Sequence, residues 1–141
     1  MALSANAAWQ TRNDSNPAKQ SAVILTGAKI YKGALVVLTA AGKAKPAANE
    51  TTTTFLGMSL DEYDTGDGTV RCETVADIEI LITAKTTMTA GLIGFTTIYA
   101  FDDAQVTNLA TLGPACGTFV ELESANLAWV GLRKPTFAKA S

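Results

Sequence analysis

The chain has 141 residues, enough for one domain with a real core and too few for two. Hydrophobic residues make up 48% and charged ones 17%, an apolar surplus that predicts contacts with other chains, while a net charge of −2 argues against a dedicated nucleic-acid binder. No apolar run reaches the roughly 18 residues of a membrane span, and MALSANAAWQTRNDS lacks the basic start and apolar core of a secretion signal, so a soluble protein made in the cytoplasm, with no membrane partner, is expected.

Residues 1–21 are rich in Ala, Ser, Asn and Gln, contain Pro17 and keep no period, which predicts an extended N-terminal arm. Trp9 stands out there: either it reaches a partner, as exposed tryptophans do at interface centres, or the arm folds back and Trp9 plugs its own domain. AVILT (Ala22 to Thr26) and ALVVLT (Ala34 to Thr39) are β-branched runs bounded by glycines and predict core strands. GKAKP turns into a short extended piece, Ala48 to Thr54 is a polar loop, and TFLGMSL (Thr54 to Leu60) is a strand whose Gly57 predicts a bulge or a close backbone approach. An acidic loop, Asp61 to Gly68, leads into the longest alternation in the chain, Val70 to Ile82. Cys72, Ile78, Ile80 and Ile82 fall on its dry side and Arg71, Glu73, Asp77 and Glu79 on the other, which predicts one central strand. GLIG (Gly91 to Gly94) predicts a single helical turn. FTTIYAF (Phe95 to Phe101), the turn Asp102-Asp103 and AQVTN form a predicted hairpin. Gly113 to Ser124 alternates out of strict phase, implying a bulge, and Leu127 to Arg133 is the last strand, with Trp129 in the core. Short strands spaced by turn signals, without a helical period, predict an all-β fold: one compact β-sandwich or β-barrel-like domain over 22–133, with the arm before it and a short C-terminal tail, 134–141.

Charge is unevenly placed. Arg12, Lys19, Lys29, Lys32, Lys43 and Lys45 face only Asp14 in the first 48 residues, the middle is acidic, and Arg133, Lys134 and Lys139 close the chain. Two readings follow: the charges mix on one folded surface, or basic ends of one copy reach acidic surface on a neighbour.

The chain has no histidine, which removes the commonest general base, the Ser-His and Cys-His pairs and the usual zinc ligand sets. Asp61, Glu62, Asp64 and Asp67 miss the calcium-loop spacing, because Tyr63 and Gly66 fall where oxygen ligands are wanted; a solvated loop is the expectation and a weak calcium site the one ligand reading left open. No glycine-rich phosphate cradle joins a strand to a helix. Cys72 and Cys116 lack metal-ligand spacing and are expected to be buried free thiols. No catalytic, cofactor-binding or metal residue is assigned, and an enzyme is not expected.

GAKIYKGALVVLTAAGKAKPA (Gly27 to Ala47), TFLGMSLDEYD, GTVRCETVADIEILI, TAGLIGFTTIYAFDDAQVTN (Thr89 to Asn108) and AWVGLR, in that order, resemble the small capsid cement, or head decoration, proteins of tailed bacteriophages. The most specific part joins IYKGALVVL to Gly94 followed by Ile98, Tyr99, Ala100, Asp102 and Asp103, then Val106 and Thr107. The resemblance covers about Ala22 to Arg133; the long threonine loop and the acidic insertion before the central strand depart from the family's pattern, and the arm before Ala22 is unmatched. It implies a β-rich domain on the outside of the assembled virion head that bridges neighbouring major capsid protein subunits. A homotrimer or homodimer would match the symmetry points of an icosahedral shell. The runner-up is a virion surface recognition module, a head fibre base or carbohydrate-binding domain, reading through residues 49–54 and 61–68. Exposure logic nominates Leu3, Trp9 and Arg12 in the arm and Arg133, Lys134 and Phe137 at the tail as capsid or oligomer contacts.

Overall fold

The computed structural model describes residues 2–64, 70–85, 96–124 and 126–133. The described chain is nearly all β, as expected. Its strands are β1 (Gln10–Arg12), β2 (Ala18–Val23), β3 (Leu35–Leu38), β4 (Ala44–Pro46), β5 (Thr54–Ser59), β6 (Arg71–Ala76), β7 (Glu79–Ala84), β8 (Thr97–Asp102), β9 (Gln105–Thr107), β10 (Ala115–Ser124) and β11 (Leu127–Leu132). Among the described residues, one 3-10 turn, Ala110–Leu112, interrupts them.

One sheet runs β1-β7-β11-β10-β8-β9, and a parallel pairing of β9 with β7 joins its far strand back to the near one. Strands β7, β11, β10, β8 and β9 therefore close into a small barrel, with β1 added on the β9 side of β7. Closure removes the exposed edges that a flat sheet of this length would offer. Ile80 and Ile82, Ile98, Val106, Phe119, Val130 and Leu132 belong to its filling.

The second sheet runs β2-β6-β5-β3-β4, and a bridge from Ile24 to Ala44 links its two outer strands. It is dry on both faces at β3 and the middle of β5, while Lys19, Ser21, Arg71 and Glu73 leave one face of β2 and the start of β6 exposed. Leu35, Val37, Phe55 and Val75 join the barrel's core, while Val36, Leu56 and Cys72 turn the other way and meet Ile24, Ile30 and Ala44 in a second core. Burial on both faces is why ALVVL reads as a continuous apolar run rather than an alternation.

The Val70–Ile82 run is two strands, not one. Asp77, at φ +59°, turns the chain from β6 in the second sheet to β7 in the barrel, and its N–H donates to Leu132 O at 2.9 Å. Ala76 and Ile78 are both buried across this corner, so the alternation keeps its phase through a change of sheet. Cys72 consequently lies in the second core and Ile80 in the first.

The N-terminal stretch is likewise not a detached arm. β1 pairs with β7 through Gln10–Leu81, Thr11–Ile80 and Arg12–Glu79, and β2 pairs with β6 over its whole length from Ala18 to Val23. The strand expected at Ala22 therefore starts four residues earlier, and Leu25 beyond it is exposed.

Other expectations hold. β8 and β9 form the hairpin around Asp103, the β10–β11 register shifts between Phe119 and Glu121, and the β3–β5 register shifts opposite Gly57. A Cβ at Gly57 would stand 2.8 Å from Thr74 Oγ1 and 2.9 Å from Val75 O, which is the close approach its position implied. The GLIG turn lies outside the described residues.

Candidate interaction surface

Residues 2–12 form a strap across both cores. The Leu3 N–H donates to Asp103 Oδ1 at 2.8 Å and its side chain packs on the second core. Asn6 accepts from Lys32 N at 2.9 Å and donates to Glu62 Oε1 at 2.9 Å, and the Ala7 N–H donates to Lys32 O at 2.8 Å. Trp9 is half-buried against the main core, and its indole N–H donates to Gly33 O at 2.7 Å. Of the two readings of Trp9, the structure has the one in which it plugs its own domain.

Gly33 makes this seat possible. Its φ is +88°, and a Cβ there would strike the carbonyl oxygen of Ala7 and stand 3.1 Å from that carbonyl's carbon. Only a residue without a side chain lets the strap lie this close in that backbone conformation.

Arg12 ends the strap. Its Nε–H donates to Glu79 Oε1 at 2.7 Å, Nη2–H donates to Glu121 Oε1 at 2.9 Å, and the guanidinium carbon lies 4.1 Å from the centroid of Trp129. The hydrogen bond to Glu79, then that to Glu121, raises the Arg12 pKa above its ordinary value. Trp129 is buried, but its neighbours Ala128 and Val130 are the ones that enter the main core. Trp129 lies on the opposite face of β11, with Arg12 stacked on its ring, so it is buried as expected but stands outside the main core cluster.

Where the strap gives way to Asn13 there is a depression of about 340 Å³, lined by Asn13, Asp77, Glu79, Thr118, Gly131 and Arg133, among others. Asn13 and Asp77 are the two non-glycine residues with positive φ among the described ones, at +51° and +59°. Less common backbone of this kind collects where surrounding structure or function demands it. Arg133 is exposed, its N–H donates to Cys116 O at 3.0 Å, and the chain continues from it into the tail. The depression thus brings the end of the strap and the start of the tail to one place. Lys134 and Phe137 lie outside the described residues.

The acidic loop is tied down by a base. Lys29 Nζ lies 2.8 Å from Glu62 Oε2 and 3.7 Å from Asp64 Oδ1, and the Lys29 hydrogen bond holds the Glu62 carboxyl below its ordinary range. Asp67 is outside the described residues, and no group of three or more ligand-type side chains gathers among the described ones. Lys45 pairs with Glu50. Basic residues of the first half thus meet acids of the middle within one chain, the mixed-surface arrangement. Both cysteines are buried and free, and burial pushes both thiols up.

Sequence reasoning missed Gly33, Glu79, Glu121 and Asp103. Glu79 was legible only as an outward residue. Asp103 is 3% exposed; burial raises its pKa against the opposing pull of the Leu3 N–H. Its own carbonyl accepts from Leu35 N at 3.0 Å, so the IYKGALVVL and Asp102-Asp103 segments meet. Among the described residues, no helix is long and apolar enough to cross a membrane. No protein-family model and no curated protein compared with the chain matches it.

Proposed function

We propose that this protein is a capsid cement protein: it binds the outside of an assembled bacteriophage head and stabilises it by bridging neighbouring major capsid protein subunits, without catalysing a reaction. The resemblance supplies the capsid. What supports it most in the structure is the depression at Asn13, Asp77, Glu79 and Arg133, where the strap ends, the tail begins and both positive-φ non-glycine residues sit. A bridging protein works through such junctions, where short segments leave a stiff body and reach across a seam; a standard interface of this kind buries roughly 800 Å² per partner. Many copies on one shell turn modest contacts into firm attachment through effective concentration.

On this reading Arg133, Lys134 and Phe137 contact the capsid directly, and Leu3, Trp9 and Arg12 act by fixing the strap that leads into the depression at Asn13. The test mixes purified protein with undecorated heads and follows co-sedimentation and the heat resistance of the heads. The intact chain is expected to bind and protect, and Arg133→Glu with Lys134→Glu to bind less while unfolding at the same urea concentration. An intact, folded chain that leaves heads unbound and unprotected overturns the proposal.

A further inference from the structure

The strap holds to the body through contacts that need not come from its own chain. Its partners are all downstream: Lys32, Gly33, Glu62, Glu79, Asp103, Glu121 and the face of Trp129. The segment joining it to β2 is Asn13 to Pro17, and all five residues are exposed. Among the described residues, the side chains of this hinge make one hydrogen bond, which Asp14 Oδ2 accepts from Thr11 Oγ1 at 3.0 Å, within the strap's own end. Asn13 is held at φ +51°, a turn that an extended hinge would not require. Drawn out, five residues span about 17 Å.

We propose that residues 2–12 are an exchangeable strand, which seats either on its own body or, with the same contacts, on a second copy of this chain. Every seat is duplicated in a second copy, so exchange creates no new interface chemistry and loses none. Which seat wins depends on concentration. A short flexible tether gives the strand's own body an effective concentration in the millimolar range, so dilute protein keeps the strap at home and crowded copies trade it. Of the other surfaces, the exposed Leu25 and the acidic loop are accompanied by nothing that says what would cover them.

The strand register supplies the test. Gln10 is exposed and faces the half-buried Leu81 across the β1–β7 ladder. Chains carrying Gln10→Cys alone and Leu81→Cys alone are mixed at millimolar concentration, incubated warm, oxidised and run without reductant. The double variant in one chain provides the intramolecular reference. A second arm removes Asn13 to Pro17, which leaves no residue to span the Asp77–Ile78 corner between the seats at Glu79 and Ala76, and reads the mass of the folded protein by native mass spectrometry. Exchange predicts a disulfide-linked pair with one chain of each variant, in several-fold excess over Gln10→Cys homodimers, and a dimer for the shortened chain. Either result supports the proposal. Absence of the mixed pair together with a monomeric shortened chain overturns it. The assay contains no virus heads, so it stands apart from the capsid reading.

Discussion

Replacing Gly33 with alanine separates the strap from the body with one methyl group. Two costs add at this position. Left-handed backbone is unfavourable for an L-residue by about 1–2 kcal/mol, and the new Cβ would occupy the space of the Ala7 carbonyl. Relief of that clash means lifting the strap, which gives up the hydrogen bonds from Ala7 to Lys32 and from Trp9 to Gly33, each about 1 kcal/mol net, and part of the burial of Trp9. A loss of roughly 3–5 kcal/mol is expected from these parts together. Gly42→Ala is the control, because Gly42 has φ +80° with nothing within 4 Å of the methyl it would gain and so carries only the backbone cost. Urea unfolding followed by tryptophan emission measures both variants, and trypsin reports on the strap directly, since Arg12 is tied into β1 and two carboxylates. Gly33→Ala is expected to be cut after Arg12 well before the body unfolds. A loss equal to that of Gly42→Ala, with Arg12 as resistant as in the parent, refutes the reasoning.

Arg12→Ala removes two partly exposed ion pairs and the stack on Trp129; about 1–2 kcal/mol of destabilisation and a change in Trp129 emission are expected by urea titration, with Arg12→Lys recovering less than half because it lacks the fork. The Asp103 carboxyl is raised by burial above its ordinary 3.8, so the fold favours its protonated form. The stability this confers is complete below 3.8 and is lost as pH rises through the raised value. Asp103→Asn keeps an oxygen for the Leu3 N–H and should therefore match or exceed the parent near roughly pH 7 and lose that advantage on acidification; urea midpoints moving the opposite way count against it.

The alternating and β-branched segments were legible because their burial is local: ALVVL, TFLGM, TIYAF and LAWVGL each carry enough apolar surface to declare a strand. The corner at Asp77 was not, since a change of sheet that preserves phase leaves the pattern of Ala76, Ile78 and Ile80 intact. The strap was hidden for another reason. Gln10 to Arg12 becomes a strand through its partners Glu79, Ile80 and Leu81, nearly seventy residues away, and nothing within QTR announces that pairing. Arg12 and Trp129 could be assigned exposure and burial, but their stacking depends on which faces of β1 and β11 coincide. One practical consequence concerns truncation. A cut before Ala22 would remove most of β2 and with it the outer strand of the second sheet, whereas a cut within Asn13 to Pro17 removes the strap alone.

That distinction bears on how strongly the strap ought to be held. Its tie to the second core runs through Leu3 and Asp103, its tie to the main core through Trp9, and its tie to the barrel wall through Arg12, whose side chain is about one-third exposed at 35%. None of these is a fully buried, fully paired contact of the kind that makes a segment inseparable. A strap sealed by deep burial would give a more stable monomer and a poorer bridge, because any contact offered by a neighbour would have to exceed the contacts given up at home. A strap with half-buried Trp9 and solvent-reachable ion pairs sits where a neighbour bearing the same seat at high local concentration can compete. On that argument a variant that tightens the seat without adding a clash should be more stable in solution and less able to join copies together, and the two effects should grow in step.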